Sequence, residues 1–148
     1  MSENKKTIIE ALNDYFKTCP FLKDGVISAE YIGGEDVKYS INAQNIADPV
    51  IESYIDGSSK RQYAFTFNSN ELYGPDAIDQ FNAYKFYEDL QEWIEDNNWK
   101  YIYPNVEGAE EMQILSQGYI YSEDQYSAIY QIQLRLIYKK KGRILDGN

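Results

Sequence analysis

The C-terminal stretch "YSAIYQIQLRLIYKKK", from Tyr126 to Lys141, alternates between apolar and polar residues. A period of two is typical of a β-strand with one buried face. One face carries the apolar set Tyr126, Ala128, Tyr130, Ile132, Leu134, Leu136 and Tyr138. The opposite face carries Ser127, Gln131, Gln133, Arg135 and Lys139, interrupted by Ile129 and Ile137. We expect the first face to join a core and the second to meet a polar surface.

Helical spacing of apolar residues predicts two helices. The first runs from about Lys5 to Thr18 and ends before Pro20, because the residue before a proline disfavours helical angles. The second opens at Gly74 and Pro75 and has a broad apolar stripe: Ile78, Phe81, Ala83, Phe86, Tyr87, Leu90, Trp93 and Ile94. Burial of each such side chain contributes roughly 1.5–3 kcal/mol, so we expect this stripe to dominate the core.

The remaining segments predict strands and loops. "GVISAEYI" and "VKYSINAQ" flank Gly33 and Gly34, which predicts a hairpin. Residues 45–59 predict a loop with one irregular strand at "VIESYI", and "KRQYAFTFNS" predicts a strand whose aromatic face holds Tyr63, Phe65 and Phe67. The run "EEMQILSQGYIYS" and the long strand after it predict a C-terminal hairpin.

The order of elements predicts an α+β fold. Strands follow strands along the chain, which favours an antiparallel or mixed sheet with both helices packed on it over a parallel βαβ fold. A chain of 148 residues suits a single domain over 1–148, and we expect residues 142–148 to be a flexible tail.

The amino-acid composition limits the kinds of activity and binding that can be expected of this protein. The net charge of −10 opposes stable binding to nucleic acid, and no histidine is present for a catalytic triad or a metal site. Cys19 is the only cysteine, and no apolar run reaches the length of a membrane span. The acidic clusters, and the basic run at the end of the long strand, are expected in solvated faces. We therefore expect no enzyme activity, no catalytic residue, no metal and no cofactor.

Three segments carry a resemblance to a known family. They are "RQYAFTFNSNELYG", "FYEDLQEWIEDNN" and "QGYIYSEDQYSAIYQIQLRLIYKK", which together cover roughly residues 60 to 140. In order and spacing they resemble small tail-terminator proteins of long-tailed phages and prophages of Gram-positive bacteria, whose members are often labelled minor capsid protein. The shared pattern consists of fold-forming positions and includes no catalytic motif.

The resemblance implies a structural protein of the virion. Such proteins form a homo-oligomeric ring, typically a hexamer, that caps the tail tube and joins it to the head-side connector. The implied partners are other copies of the chain, the tail-tube protein and the connector protein. DNA would pass through the ring without being bound, no membrane would be involved, and assembly would take place in the host bacterial cytoplasm.

The length of the final strand independently suggests a contact between subunits. Residues 126–139 would span about 45 Å at roughly 3.3 Å per residue, whereas a domain of this size is near 40 Å across. We expect the strand either to bend at a bulge or to offer its end to a neighbouring subunit. The candidate interface residues are Arg61, Gln131, Gln133, Arg135 and Lys139.

Two other functions stay open at this point. The charge of −10 and the aromatic strands also fit an acidic inhibitor or immunity-type protein that binds a basic protein partner. A pocket lined by carboxylates and tyrosines would instead fit a small-ligand binder or an enzyme.

Overall fold

A computed structural model describes residues 6–22, 27–28, 39–72, 77–123 and 127–142. Within these ranges the helices are α1 (Ile8–Lys17) and α2 (Ala77–Trp99). The strands are β1 (Ile27–Ser28), β2 (Tyr39–Ala43), β3 (Val50–Ser53), β4 (Ser59–Leu72), β5 (Ala109–Ile114), β6 (Tyr119–Glu123) and β7 (Ser127–Lys140). The predicted α+β class is confirmed.

All seven described strands belong to one sheet. The order is β1-β2-β4-β7-β5, with β3 paired to β4 beyond the end of β2, and β6 paired to β7 beyond the end of β5. Every described pairing is antiparallel except β1 with β2. The β6–β7 pair forms the predicted C-terminal hairpin.

The long final strand does not leave its own subunit. Strand β7 pairs with β4 over the full range from Ser127 opposite Leu72 to Lys140 opposite Ser59, because β4 also has 14 residues. Its other edge pairs with β5 and β6. Of the two alternatives, pairing of the end of β7 with a neighbour was wrong, since length alone did not show that a second strand matched it. Register shifts do occur, and they lie in its partners, between Ala109 and Glu111 of β5 and between Ile120 and Ser122 of β6.

The predicted hairpin before β3 was also wrong. Ile27 and Ser28 pair with Tyr39 and Ser40 in parallel, whereas a hairpin requires antiparallel strands. The proposed turn at Gly33 and Gly34 lies outside the described residues.

One face of the sheet carries both helices. Helix α1 begins with a capping box between Thr7 and Glu10 and buries the apolar residues on one side. The aromatic face of β4 packs against it, with the ring of Phe16 between those of Phe65 and Phe67. The buried cluster on this face includes Leu12, Tyr15, Phe65, Phe67, Ala83, Tyr87, Leu90, Ile94, Tyr130, Ile132, Leu134 and Leu136.

The apolar stripe of α2 was predicted correctly except at its start. Phe86 and Trp93 pack against the core, but Phe81 is 71% exposed. The side chain of Ile78 lies outside the described part of the chain. Across the described ranges, neither helix combines the length and apolar character needed to cross a membrane.

Candidate subunit interface on the polar face of the sheet

The face of the sheet opposite the helices carries four of the five predicted interface residues. Gln131, Gln133, Arg135 and Lys139 alternate with the core residues of β7 and so share this polar face. Arg61 does not lie there. It is directly opposite Tyr138, which places it on the helix-side face, and its Nε donates to Ser59 Oγ at 3.0 Å. Arg61, the candidate from the aromatic strand, therefore lies on the other side of the sheet from the other four candidates.

A first hydrogen-bond network crosses the polar face near its centre. Gln131 Nε2 donates to Asn68 Oδ1 on β4 at 2.8 Å, and Gln131 Oε1 accepts from the hydroxyl of Tyr119 on β6. That hydroxyl also accepts from Gln133 Nε2 at 3.0 Å. Buried Asn68 in turn donates to Thr66 Oγ1 at 3.2 Å. Gln131 and Gln133 are therefore tied to neighbouring strands of their own subunit.

A second network centres on Arg135. Its Nε donates to Gln113 Oε1 on β5 at 2.6 Å, and a terminal nitrogen donates to Gln62 Oε1 on β4 at 2.9 Å. Gln62 Nε2 continues the network to the carbonyl of Asp48 at 2.8 Å. The guanidinium thus links three strands through neutral amides, and it forms no salt bridge with a described residue. These hydrogen bonds account for an arginine at position 135 without a contact to another subunit.

The end of the polar face near the β3–β4 turn combines charged residues of both signs with apolar residues. Lys60 on β4 lies directly opposite Lys139 on β7, and the Nζ of Lys139 is 5.5 Å from the ring centroid of Tyr54. Ile55, at the tip of the turn, is fully exposed. On its other side Lys60 lies directly opposite Glu52 of β3. Hydrogen bonds from Ser58, with a smaller contribution from Lys139, lower the pKa of Asp56 in the turn, so lysines and carboxylates are mixed at this end. We call Tyr54, Ile55, Lys60 and Lys139 the hairpin surface.

Backbone hydrogen bonds hold this turn in one shape. The N–H of Tyr54 donates to the carbonyl of Ser58 at 2.9 Å, and the N–H of Gly57 donates to the carbonyl of Tyr54 at 3.0 Å. Gly57 has φ of 88°, which a residue with a side chain rarely adopts. Ile55 is therefore exposed on an ordered turn, where its apolar surface has no described neighbour to cover it.

A second exposed apolar group lies where α2 ends. Trp99 and Tyr101 are 85% and 81% exposed, and Ile102 is also exposed. The N–H of Ile102 donates to the carbonyl of Asn97 at 2.8 Å, and that of Tyr101 to the carbonyl of Asn98 at 3.1 Å. These bonds form a Schellman motif, in which the residue with positive φ is usually glycine. Here it is Tyr101, with φ of 61°, so the helix ends in a strained conformation that keeps an exposed aromatic ring.

Two carboxylates lie near Tyr103, which follows these residues along the chain. Desolvation, followed by the neighbouring Tyr101, Glu111 and Glu110, raises the pKa of Tyr103. Both glutamates are exposed at the start of β5. We call Trp99, Tyr101, Ile102, Glu110 and Glu111 the corner surface. The sequence analysis missed both the corner and the hairpin surfaces, because apolar residues at the end of a helix or in a turn carry no periodic signal.

A groove of about 500 Å³ lies at the same end of the sheet, lined by Lys6, Ile8, Asn105, Val106, Glu107, Tyr138, Lys139 and Lys140. It combines lysines with one carboxylate, a mixture suited to an anionic group. Within the part of the chain that the structure describes, no group of three or more histidine, cysteine, aspartate or glutamate residues is placed to hold a metal ion.

The sequence matches no protein-family model, and no curated protein matches it significantly.

Proposed function

We propose that this protein is a structural subunit that assembles into a homo-oligomeric ring, and specifically a terminator of a phage tail that caps the tail tube and joins it to the head-side connector. The sequence resemblance supports this role, and its three segments fall on β4, on α2 and on the β6–β7 hairpin. These elements form the scaffold of the fold, as expected for a pattern of fold-forming positions. In this role the protein is located in the virion at the head–tail junction.

The observation that carries the proposal is the set of large apolar side chains exposed on separate parts of a small domain. They are Ile55, Phe81, Trp99, Tyr101 and Tyr121. Only Trp99 and Tyr101 are neighbours along the chain, where Ile102 is exposed as well, and contiguous exposed apolar residues are characteristic of sites that contact other proteins, whereas single ones are common on any domain. A ring subunit has to contact two neighbouring copies as well as the structures above and below it, so several separate contact surfaces are expected on one chain.

The direct test is assembly of the purified chain. Six copies of a 17.3 kDa chain have a mass of about 104 kDa, which native mass spectrometry resolves from a monomer. Electron microscopy should show a ring at one end of purified tail tubes after the protein is added. A chain that remains at 17.3 kDa at high concentration, and that leaves tube ends bare, would overturn the proposal.

A second candidate function is an inhibitor that binds a basic protein. The exposed side of α2 favours it, because a shallow depression there is lined by Glu88, Asp89, Gln91, Glu92 and Glu95. Such a surface would attract a basic partner at a rate that falls with ionic strength. A salt-sensitive one-to-one complex with a basic host protein, formed by a chain that does not self-associate, would favour this function over the ring.

A further inference from the structure

We propose that the exposed face of α2, together with the aromatic residue at its C-terminal end, binds a lysine- or arginine-rich segment of another protein. At about 100° per residue, four side chains follow one line along this helix. They are Glu88, Glu92, Glu95 and Trp99, and we call them the acidic row. The inference rests on the second candidate function, to whose surface it adds an aromatic anchor, and it does not require ring assembly.

The acidic row faces away from the core. Leu90 and Ile94, which are fully buried, lie on the opposite side of the helix. The three glutamates are exposed, and the side chain of Trp99 is 85% exposed. At 1.5 Å per residue the row is about 16 Å long, so a short peptide segment could contact all of it.

Few cations balance the carboxylates of this helix. Residues 77–100 contain six carboxylates and two lysines, which gives a net charge of −4. One of these lysines, Lys85, donates to Asp89 at 2.7 Å. That hydrogen bond raises the pKa of Lys85, to which Glu88 and Glu92 contribute less. A single described cation is therefore shared among several carboxylates, and the surface keeps an excess of negative charge.

The arrangement of the row does not favour the isolated helix. Glu88 and Glu92 are four residues apart, and Glu92 and Glu95 are three apart, so like charges are neighbours on successive turns and repel each other. The last turn of α2 has no basic residue, although a cation there interacts favourably with the helix dipole. A basic segment of a partner would relieve the repulsion and supply that cation.

Trp99 gives the row an apolar end. The exposed side chains of Tyr101 and Ile102 continue this apolar surface beyond the helix. Tryptophan and tyrosine rings bind ammonium and guanidinium groups through cation–π interactions, and both residues are enriched at the centres of protein interfaces. Carboxylates beside such rings fit a segment in which lysine or arginine alternates with apolar residues. Long-range repulsion between chains of charge −10 favours a different protein over a second copy.

The test measures binding of a basic peptide to the full-length chain. The ligand is a fluorescein-labelled synthetic peptide in which arginine occupies every second position and alanine or leucine the others. Fluorescence anisotropy at low salt should give a Kd below about 100 μM. The same peptide with glutamate in place of arginine should bind at least about tenfold more weakly. A wild type that does not bind the arginine peptide would overturn the inference.

Two double variants separate the acidic row from the net charge. Glu92→Gln/Glu95→Gln removes two charges from the row, and Asp48→Asn/Glu52→Gln removes two from exposed positions on the β3 side of the sheet. We expect the first to weaken peptide binding by at least about fivefold and the second by less than about twofold. Equal weakening would show that binding follows net charge alone, and the inference would be wrong. Circular dichroism confirms that each variant is folded.

Trp99 reports the contact directly. Trp93 packs against the core, so the emission that depends on solvent comes mainly from Trp99. Unlabelled arginine peptide should shift the tryptophan emission to shorter wavelength and reduce its quenching by acrylamide, and Trp99→Phe should abolish both changes. Trp99→Ala should weaken binding by about fivefold, whereas Leu115→Ala, at another exposed apolar residue, should change it by less than about twofold. Binding without any change in emission would contradict the role of Trp99.

The outcomes separate this inference from the proposed functions. A wild type that forms rings but does not bind the peptide overturns the inference and leaves the ring function intact. A wild type that binds the peptide through the acidic row but forms no ring supports the inference and removes the ring function. If Glu92→Gln/Glu95→Gln abolishes self-association of the wild type, the occupant is a second copy and the assignment to another protein is wrong. If a basic host protein binds the wild type and Glu92→Gln/Glu95→Gln equally, the second candidate function stands and this surface is wrong.

Discussion

The side-chain amide of Asn98 binds both backbone groups of Met112. Its Nδ2 donates to the Met112 carbonyl at 2.7 Å, and its Oδ1 accepts from the Met112 N–H at 3.0 Å. Met112 lies on β5, whose other edge pairs with β7. A residue of α2 therefore acts as a strand partner for the outer edge of the sheet, which blocks pairing with another chain at this point.

Replacing Asn98 with alanine should destabilise the fold and open this edge. Both backbone groups of Met112 would lose their partner, which costs about 1–3 kcal/mol for buried polar groups. We expect a lower urea midpoint and more aggregation on heating. Glu95→Ala, at an exposed position one turn earlier on α2, is the control and should change stability by less than about 0.5 kcal/mol. Equal midpoints for the two variants would contradict this role of Asn98.

Arg135 should behave mainly as a structural residue. Its guanidinium joins Gln62 and Gln113 on the two strands that flank β7, so Arg135→Met leaves both amides without that partner. We expect a loss of about 1–3 kcal/mol in the free energy of unfolding. Lys17→Met is the control for removing a charge at an exposed site. If Arg135→Met instead unfolded like the wild type but failed to assemble, its main role would be at a subunit contact.

Periodicity was sufficient to predict β4 and β7 because each has one face in the core. Phe65 and Phe67 are buried on one side of β4, and Leu134 and Leu136 on the matching side of β7. Alternation reports which face a residue occupies, and it reports this strongly when the faces differ in polarity. It also placed Gln131, Gln133 and Arg135 correctly on the polar face.

The alternation of apolar and polar residues could not predict which strands pair with each other. The match of β7 with β4 joins residues more than 50 positions apart, and the parallel pairing of Ile27 with Tyr39 has no local signal. Phe81 was assigned to the stripe of α2, yet it is exposed. At 3.6 residues per turn it lies about 160° around the helix from Ala83, on the side away from the buried Leu90 and Ile94, so the predicted stripe was too wide.

The strain at Tyr101 predicts a variant that is more stable as a monomer. A non-glycine residue with left-handed backbone angles costs roughly 1–2 kcal/mol, so Tyr101→Gly should raise the free energy of unfolding by about 1 kcal/mol. The melting temperature should rise by roughly 2–4 °C.

Lys100→Gly is the matched control for Tyr101→Gly. Lys100 is exposed and adjacent, and its φ is not positive, so glycine there should give no gain in stability. A Tyr101→Gly chain that is less stable than the wild type would show that the ring contributes more to the monomer than its exposure indicates.

Gly118 is required by the close approach of Tyr87. A Cβ atom at position 118 would lie 2.5 Å from both Cβ and Cγ of Tyr87. Tyr87 is buried, and its hydroxyl donates to the carbonyl of Tyr130 at 3.1 Å, so the ring cannot move aside freely. Gly118→Ala should cost about 1–3 kcal/mol in urea unfolding. Gln117→Ala, at the exposed neighbouring position, should be near neutral, and equal values for the two would contradict the predicted clash.

Burial of Tyr15 predicts a loss of stability at high pH. Desolvation raises the pKa of its hydroxyl from 10.0 to about 12, an effect that the hydrogen bond from Asn97 partly opposes. Because the folded-state pKa exceeds the unfolded one, the contribution is complete below pH 10 and is lost as the pH rises toward 12. A shift of this size corresponds to roughly 2–3 kcal/mol.

Urea unfolding between pH 9 and pH 12 measures this loss, and Tyr15→Phe isolates it. The variant should be less stable than the wild type at pH 9, because Asn97 loses a partner, but its stability should fall less steeply with pH. Burial also raises the pKa of Tyr63, so Tyr63→Phe is the comparison for a tyrosine that is less deeply buried. If the wild type and Tyr15→Phe lost stability in parallel across this range, Tyr15 would not be the titrating group.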